Sequence, residues 1–401
     1  MINVKMYPAK NGDSFLISMG IETQKHILID CGYIDTYRRF IKPDLQHIAS
    51  RGESLDLLIV THTDGDHISG AIKLLSENNS ENFIKINEIW FNALEHLNFE
   101  KNEGMELEDS ERDILIQEIA LGENYLKKIN EEGITNEEIS SKQGLTLRNL
   151  IKSGGYNWNS MFHRKAISIE NRKSLNIGEI TITILSPNEA KLLNLSNQWK
   201  KELKKKKLDF QFNENSYIDD AFELMQLTLD DKKTISSTPI SLTSKRKTLE
   251  DLFNQVSPID TSVTNGSSIA ILLEAYDKKL LFLADAHPEL LETELEKLHY
   301  DYFDLIKVPH HGSLQNMTDS LANILRSDKY LYSTNGKKHN HPDLAGIAKV
   351  ILLQSQIKKK MFFNYETEAS KFLLDDELQE TYNYDVIFGK ENEILEIIIG
   401  G

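Results

Sequence analysis

Apolar positions follow two rhythms along this chain. In the first sixty residues, short runs rich in Ile, Val and Leu are separated by turn residues: Ile2-Asn3-Val4-Lys5-Met6-Tyr7, Ser14-Phe15-Leu16-Ile17-Ser18, His26-Ile27-Leu28-Ile29-Asp30 and Asp56-Leu57-Leu58-Ile59-Val60. Runs of this length and composition predict strands. Asn11-Gly12-Asp13 and Cys31-Gly32 supply the turns. Beyond Val60 and a polar cluster, Ile68, Ala71, Ile72, Leu74 and Leu75 recur at helical spacing. The order is therefore strand, polar loop, helix.

Between residues 97 and 173 the pattern becomes charged and amphipathic, as in Asp109-Ser110-Glu111-Arg112-Asp113-Ile114-Leu115-Ile116, and predicts a helical insertion. A strand over 179–185 closes at Ser186-Pro187, and a second, polar, lysine-rich insertion spans 191–261. The last third predicts strands at 268–274, 279–283 and 304–308 with a helix at 288–298, and further helix and strand pieces to Ile399. The expectation is one domain over 1–401, a layered α/β fold carrying two insertions.

Composition narrows the setting. With 40% hydrophobic and 27% charged residues the chain is able to fold. No run reaches the roughly 18 to 20 apolar residues of a spanning helix, and the start has no basic region followed by an apolar core, so no membrane is expected. A single cysteine, Cys31, excludes an intramolecular disulfide and suits a reducing compartment, the cytoplasm by expectation. A net charge of -16 argues against gripping nucleic acid along the whole surface. Two local basic patches remain, Lys200-Lys201 with Lys204 to Lys207, and Lys245-Arg246-Lys247; a solvated helix face and a loop account for them without a ligand. Trp90, Trp158 and Trp199 are expected to pack in the core or the insertions, and Cys31 to be a small buried hydrophobe.

Chemistry concentrates at His62-Thr63-Asp64-Gly65-Asp66-His67, directly after an apolar strand and before a helix. Imidazole and carboxylate together suit zinc, and also manganese or iron. The carboxyl end of a strand is where α/β proteins gather ligand groups. An N-capping carboxylate at Asp66 would explain one of these side chains and leave both histidines idle.

The hexapeptide resembles the signature of the metallo-β-lactamase superfamily, His-x-(His or Asp)-x-Asp-His. More narrowly it is similar to the branch typified by the hydrolase-like domain of the DNA-uptake protein ComEC. Further matching segments follow in order: Asn11-Gly12-Asp13-Ser14, Leu28-Ile29-Asp30-Cys31-Gly32, Asn265-Gly266-Ser267-Ser268, Ala284-Asp285, Val308-Pro309-His310-His311-Gly312-Ser313 and His341-Pro342. The resemblance implies a four-layer αββα sandwich, two mixed sheets flanked by helices, around two divalent metal ions. It implies that His62 and Asp64 hold one ion, that Asp66 and His67 hold the other, and that Asp285 bridges them. One imidazole of the His310-His311 pair completes the second site, with His310 taken as the ligand. Asp30 would steady the metal loop from behind. The family often has a further histidine before the bridging aspartate, where this chain reads Thr264-Asn265-Gly266-Ser267-Ser268; Asn265 and His163 are the substitutes considered.

Two such ions activate water and polarise the scissile group, so no nucleophilic side chain is required. Asp66, His341 and His311 are the residues expected to act in catalysis, the histidines by giving a proton to the leaving group. The resemblance implies a phosphodiester substrate, from single-stranded nucleic acid to a nucleotide or phospholipid headgroup. An ester, thioester or lactone hydrolase, or an inactive module whose insertions bind a protein partner, are the alternatives.

Overall fold

The computed structural model describes residues 1–20, 24–97, 108–131, 146–206, 216–231, 248–390 and 393–400. Its strands are β1 (Ile2–Met6), β2 (Phe15–Met19), β3 (Lys25–Ile29), β4 (Leu57–Ile59), β5 (Ile89–Trp90), β6 (Ser174–Ile177), β7 (Ile180–Ser186), β8 (Ala270–Ala275), β9 (Lys278–Phe282), β10 (Leu305–Lys307), β11 (Lys329–Tyr332), β12 (Lys359–Phe363), β13 (Tyr384–Phe388) and β14 (Leu395–Ile399). They form a six-stranded sheet, in the order β14-β1-β2-β3-β4-β5, and an eight-stranded sheet, in the order β13-β12-β11-β10-β9-β8-β7-β6. Both are mixed. The first turns from antiparallel to parallel at β3–β4, and the second at β9–β10.

Alternation along the strands sends one set of side chains between the sheets. Val4, Met6, Ile17 and Ile59 from the first sheet meet Ile182, Ile184, Leu273 and Phe282 from the second in one buried layer, with the Phe15 and Phe282 rings 5.5 Å apart edge to face. The outer faces are apolar too. Leu16, Leu28 and Leu58 pack against Ile68, Ala71 and Leu75 of helix Gly65–Glu81, while Leu272, Leu281 and Ile306 pack against Leu291, Leu321 and Ile347. Burial on both faces explains why the strands read as nearly continuous apolar runs. The result is the expected sandwich of helix, sheet, sheet and helix.

The segments expected as insertions supply a helical layer with its own core. Helix Asp109–Glu131 packs along helix Ser216–Asp231. Leu115, Trp199, Leu203, Ile218 and Phe222 share one buried cluster, in which Trp199 and Phe222 meet edge to face at 5.3 Å. Helix Leu147–Gly154 instead lies on helix Gly65–Glu81, its N-terminus capped by Thr146. Among the described residues no helix is long and apolar enough to cross a membrane.

Candidate metal centre

The chemistry-bearing side chains gather where strands of both sheets end. β3 runs into Asp30 and β4 into Thr61 and His62; β9 runs into Asp285 and β10 into His310 and His311. Several of these residues take the left-handed backbone region, with φ of 53° at Asp30, 46° at Ala284, 43° at His310 and 53° at His311. For non-glycine residues that conformation is uncommon, and such strain clusters at functional sites.

Four imidazoles surround one carboxylate oxygen. The Nε2 atoms of His62, His67, His310 and His311 stand 3.8, 3.6, 3.8 and 3.6 Å from Asp285 Oδ2. His62 Nε2 is also 3.4 Å from Asp64 Oδ2, and His311 Nε2 is 4.0 Å from Asp66 Oδ2. Asp64 occupies the N-cap position of helix Gly65–Glu81 yet makes no capping hydrogen bond with its side chain. Three-residue groups with ligand atoms mutually within 4.8 Å include His62–His67–Asp285 and Asp66–His67–His311. The imidazole brought to Asp66 and His67 is thus that of His311. His310, the member of the pair expected there, has its Nε2 3.8 Å from Asp285 Oδ2 and joins no such group among the described residues.

Hydrogen bonds from behind hold His62, Asp66, His67 and His311. Asp30 accepts from the Thr61 N–H and Thr61 Oγ1, both at 2.8 Å, and from His67 Nδ1 at 2.8 Å. His62 Nδ1 meets Thr61 Oγ1 at 2.9 Å, and His311 Nδ1 meets the Ser333 carbonyl at 2.8 Å. Asn11 donates to Asp66 Oδ2 at 2.7 Å. A β-carbon on Gly12 would lie 1.9 Å from the Asp66 carbonyl oxygen, so only glycine lets this turn approach the motif. Asp13 forms a buried ion pair with Lys307 and lies 3.3 Å from His311 Nδ1; Lys307 is 3.9 Å from Asp285 Oδ1.

The electrostatics follow. Burial opposes the charge on Asp285, but His311, His310 and His67 hold its carboxyl well below the ordinary range. Burial likewise works against a charged His67, and Asp30 and Asp285 outweigh it, raising that imidazole well above its usual value. His310 is pushed up to about 10 against its burial by Asp285 and Asp260. The Nε2 atoms of His62 and His67 are buried with no hydrogen-bond partner among the described residues. Unpartnered imidazole nitrogens aimed at a shared carboxylate fit a divalent cation, because leaving such atoms unsatisfied is costly otherwise.

The centre opens on a cleft of about 470 Å³. Asp64, Asp66, Asp285, His310 and His311 line it together with Lys338, His339 and His341, and the added helices contribute Tyr125 and Leu227. Those helices touch the motif itself: a β-carbon on Gly65 would stand 2.6 Å from Ile129 Cδ1. His341 lies with its ring 5.2 Å from that of His310, and burial holds it below its ordinary value.

Other expected residues sit elsewhere. Asn265 is buried, and its Nδ2 donates to Asp260 Oδ2 at 2.8 Å rather than reaching the aspartates of the motif. His163 is exposed at the end of a short turn and does not line the cleft. Of the lysine patches, Lys205 and Lys206 pair with Glu202 and Glu118, while Lys207 and residues 245–247 lie outside the described residues. Trp199 and Trp90 are fully buried, and Cys31 is a buried free thiol. Sequence reasoning gave no role to Asp13, Lys307, Asp260 or Asn316. Asp13 stood inside a quoted motif and could have been found there; the others carry no local signature.

Two mixed sheets packed face to face, helices outside, and a His/Asp cluster across the strand ends define a metallo-β-lactamase-like sandwich. In agreement, the family model of the metallo-beta-lactamase superfamily matches residues 7–86, a stretch that includes Asp13, Asp30 and the whole 62–67 motif. No curated protein matches the chain.

Proposed function

We propose that this chain is a metal-dependent hydrolase acting on a phosphodiester. The observation that carries the reading is the convergence of His62, His67 and His311 on Asp285 Oδ2, at 3.8, 3.6 and 3.6 Å, from separate strand ends of the two sheets. We assign His62 and Asp64 to one ion, Asp66, His67 and His311 to the other, and Asp285 to both. Zinc suits this donor set, with manganese or iron as the alternatives. Held by these residues, divalent cations would supply an acidified water and a polarised scissile bond, and no nucleophilic side chain would be needed.

The chain's own residues do the remaining work. Asn11 and Asp30 orient Asp66 and His67 by hydrogen bonds. His341 lines the cleft, and burial lowers its hold on a proton, so that an imidazolium formed there by taking a proton from the attacking water would give it up readily to a leaving group. Lys338 adds positive charge to the lining of the cleft, which suits an anionic substrate. Tyr125 and Leu227 add apolar surface to the lining of the cleft. The phosphodiester is supported by the resemblance of the motif set to the ComEC-like branch, and by the lysine and histidines in the lining of the cleft. A net charge of -16 favours a small substrate over a long nucleic acid. The apolar surface of Tyr125 and Leu227 supports one second reading, an ester or thioester whose acyl part lies against them.

The test is a panel of a generic phosphodiester, single-stranded DNA, RNA and a thioester, offered to metal-loaded wild type, Asp66→Ala and Asp285→Ala. Phosphodiester turnover lost in both variants is the expected result. Thioester turnover alone transfers the assignment to the second reading, and metal-loaded protein inert toward the whole panel removes it.

A further inference from the structure

We propose that Tyr125 sets the substrate preference of the cleft: its ring receives an aromatic group of the substrate, a small phosphodiester with a nucleobase or aryl ring beside its phosphate. The inference rests on the metal-dependent phosphodiester reading above and adds to it the class of ester and the residue that selects it.

The placement of Tyr125 follows from how two helices of the added layer meet. Helix Asp109–Glu131 crosses helix Ser216–Asp231 closely, for a β-carbon on Gly122 would stand 2.5 Å from Leu224 Cβ and 2.6 Å from the Leu224 carbonyl oxygen. One turn further along each helix, Tyr125 and Leu227 reach the metal motif. A β-carbon built on Gly65 would lie 3.7 Å from Tyr125 Cε1, 3.9 Å from Leu227 Cδ2 and 2.6 Å from Ile129 Cδ1. Gly65 stands between Asp64 and Asp66, the carboxylates assigned above to different ions. A phosphate held by ions at those carboxylates brings its ester group to this apolar surface. Tyr125 and Leu227 both line the cleft. Leu227 is only 2% exposed, however, whereas Tyr125 is half-buried. The face left for a ligand is therefore that of the tyrosine ring.

The other side chains around the cleft favour a flat group over a flexible chain. His339 and His341 line it as well, and their rings stack with centroids 6.0 Å apart and planes inclined by 26°. A nucleobase or aryl group gains contact with such faces without losing internal rotations, while an alkyl chain has to be ordered and has no π-face to offer. Lys338 supplies a positive charge for the phosphate. The cleft, at about 470 Å³, falls within the roughly 300 to 1,000 Å³ of small-molecule sites. Together with the net charge of -16 this points to a single small ester rather than a long polyanion.

The test measures binding of four phosphate monoesters, the product class of the proposed reaction, to the zinc-loaded full chain by titration calorimetry. The probes are methyl, cyclohexyl and phenyl phosphate and thymidine 5′-monophosphate. The proteins are wild type, Tyr125→Phe, Tyr125→Leu and Tyr125→Ala, each checked for fold by circular dichroism. Wild type is expected to bind phenyl phosphate and thymidine 5′-monophosphate roughly 10- to 100-fold more tightly than methyl phosphate, and severalfold more tightly than cyclohexyl phosphate. Tyr125→Phe keeps that order. In Tyr125→Leu and Tyr125→Ala the ratio of phenyl to cyclohexyl phosphate affinity falls to about one. Cyclohexyl phosphate bound as tightly as phenyl phosphate by wild type, or an aromatic preference that survives in Tyr125→Leu and Tyr125→Ala, overturns the inference and leaves the phosphodiester reading in place. A zinc-loaded wild type that binds none of the four overturns that reading and the inference with it.

Discussion

Glu223 ties the helical layer over the cleft to pH. It sits in helix Ser216–Asp231, which also carries Leu227 to the cleft, and it is 2% exposed. Its carboxyl accepts the backbone N–H of Leu147 at 2.6 Å and of Arg148 at 3.2 Å, capping helix Leu147–Gly154. Asp220, one turn earlier, accepts from Thr146 Oγ1 and Asn149 Nδ2, both at 2.7 Å. Burial raises Glu223 to about 8 from an ordinary 4.5, despite the two N–H groups. An acid whose folded value lies above its unfolded one binds its proton more tightly when folded. Its stabilisation is complete below pH 4.5 and is lost as pH rises through 8. A rise from 4.5 to about 8 corresponds to about 5 kcal/mol across that window. Glu223→Gln keeps the shape and an acceptor oxygen while removing the titration. Wild type and variant should be close in stability near pH 5, and the variant should be the more stable by several kcal/mol near pH 9. Urea unfolding at intervals from pH 5 to 9 gives the difference free of the other titrating groups, which the two proteins share. Parallel curves, with no divergence above pH 6, would refute the reasoning.

Three further outcomes are expected. Asp30→Asn replaces an acceptor of three hydrogen bonds by a group that turns an N–H toward one of its donors, so metal affinity should fall roughly 10- to 100-fold in a chelator competition; unchanged affinity would deny Asp30 its orienting role. Lys307→Met leaves Asp13 and Asp285 buried without the ammonium between them, and thermal or urea unfolding of the metal-free protein should show a loss of about 3 to 5 kcal/mol. Gly12→Ala drives a β-carbon to within 1.9 Å of the Asp66 carbonyl oxygen; a loss of about 3 kcal/mol, together with weakened metal binding, should appear in the same two assays, whereas an alanine variant that binds metal normally would show that the turn can move aside.

The architecture was legible because its strands are buried on both faces and its turns carry glycine. The strands expected at 2–7, 26–30, 279–283 and 304–308 appear as Ile2–Met6, Lys25–Ile29, Lys278–Phe282 and Leu305–Lys307. Ile89–Trp90 and Ser174–Ile177 were not, since two and four residues are too few to set a period. At the candidate centre the sequence showed which residue types carry chemistry but not how they associate. Whether His310 or His311 faces Asp66 depends on a left-handed turn at two non-glycine residues, which no pattern of side chains announces. Lys307 read as part of an ordinary strand, and only the packing of β10 beside β9 brings it under Asp285. Asp260 and Asn316 are far apart in sequence and meet through loops, where periodicity carries no signal.

The distribution of donors across the sandwich has a mechanical consequence. His62, Asp64, Asp66 and His67 follow β4 in the first sheet, whereas Asp285, His310 and His311 follow β9 and β10 in the second. Between the sheets lies the apolar layer, which is non-directional and resists separation without fixing how the strand ends lie against each other. Directional links at that edge come from hydrogen bonds such as Ile269 N–H to the Thr61 carbonyl at 3.0 Å and Ser333 Oγ to the Gly12 carbonyl at 2.7 Å. Cations held by both sets of residues would add a further link between the two halves, since each of the two proposed ligand sets draws members from both sheets. Metal affinity and the alignment of the sheets are then coupled, and a change in the inter-sheet core, such as a smaller residue at Phe15 or Phe282, acts on the ligand spacing without touching a ligand.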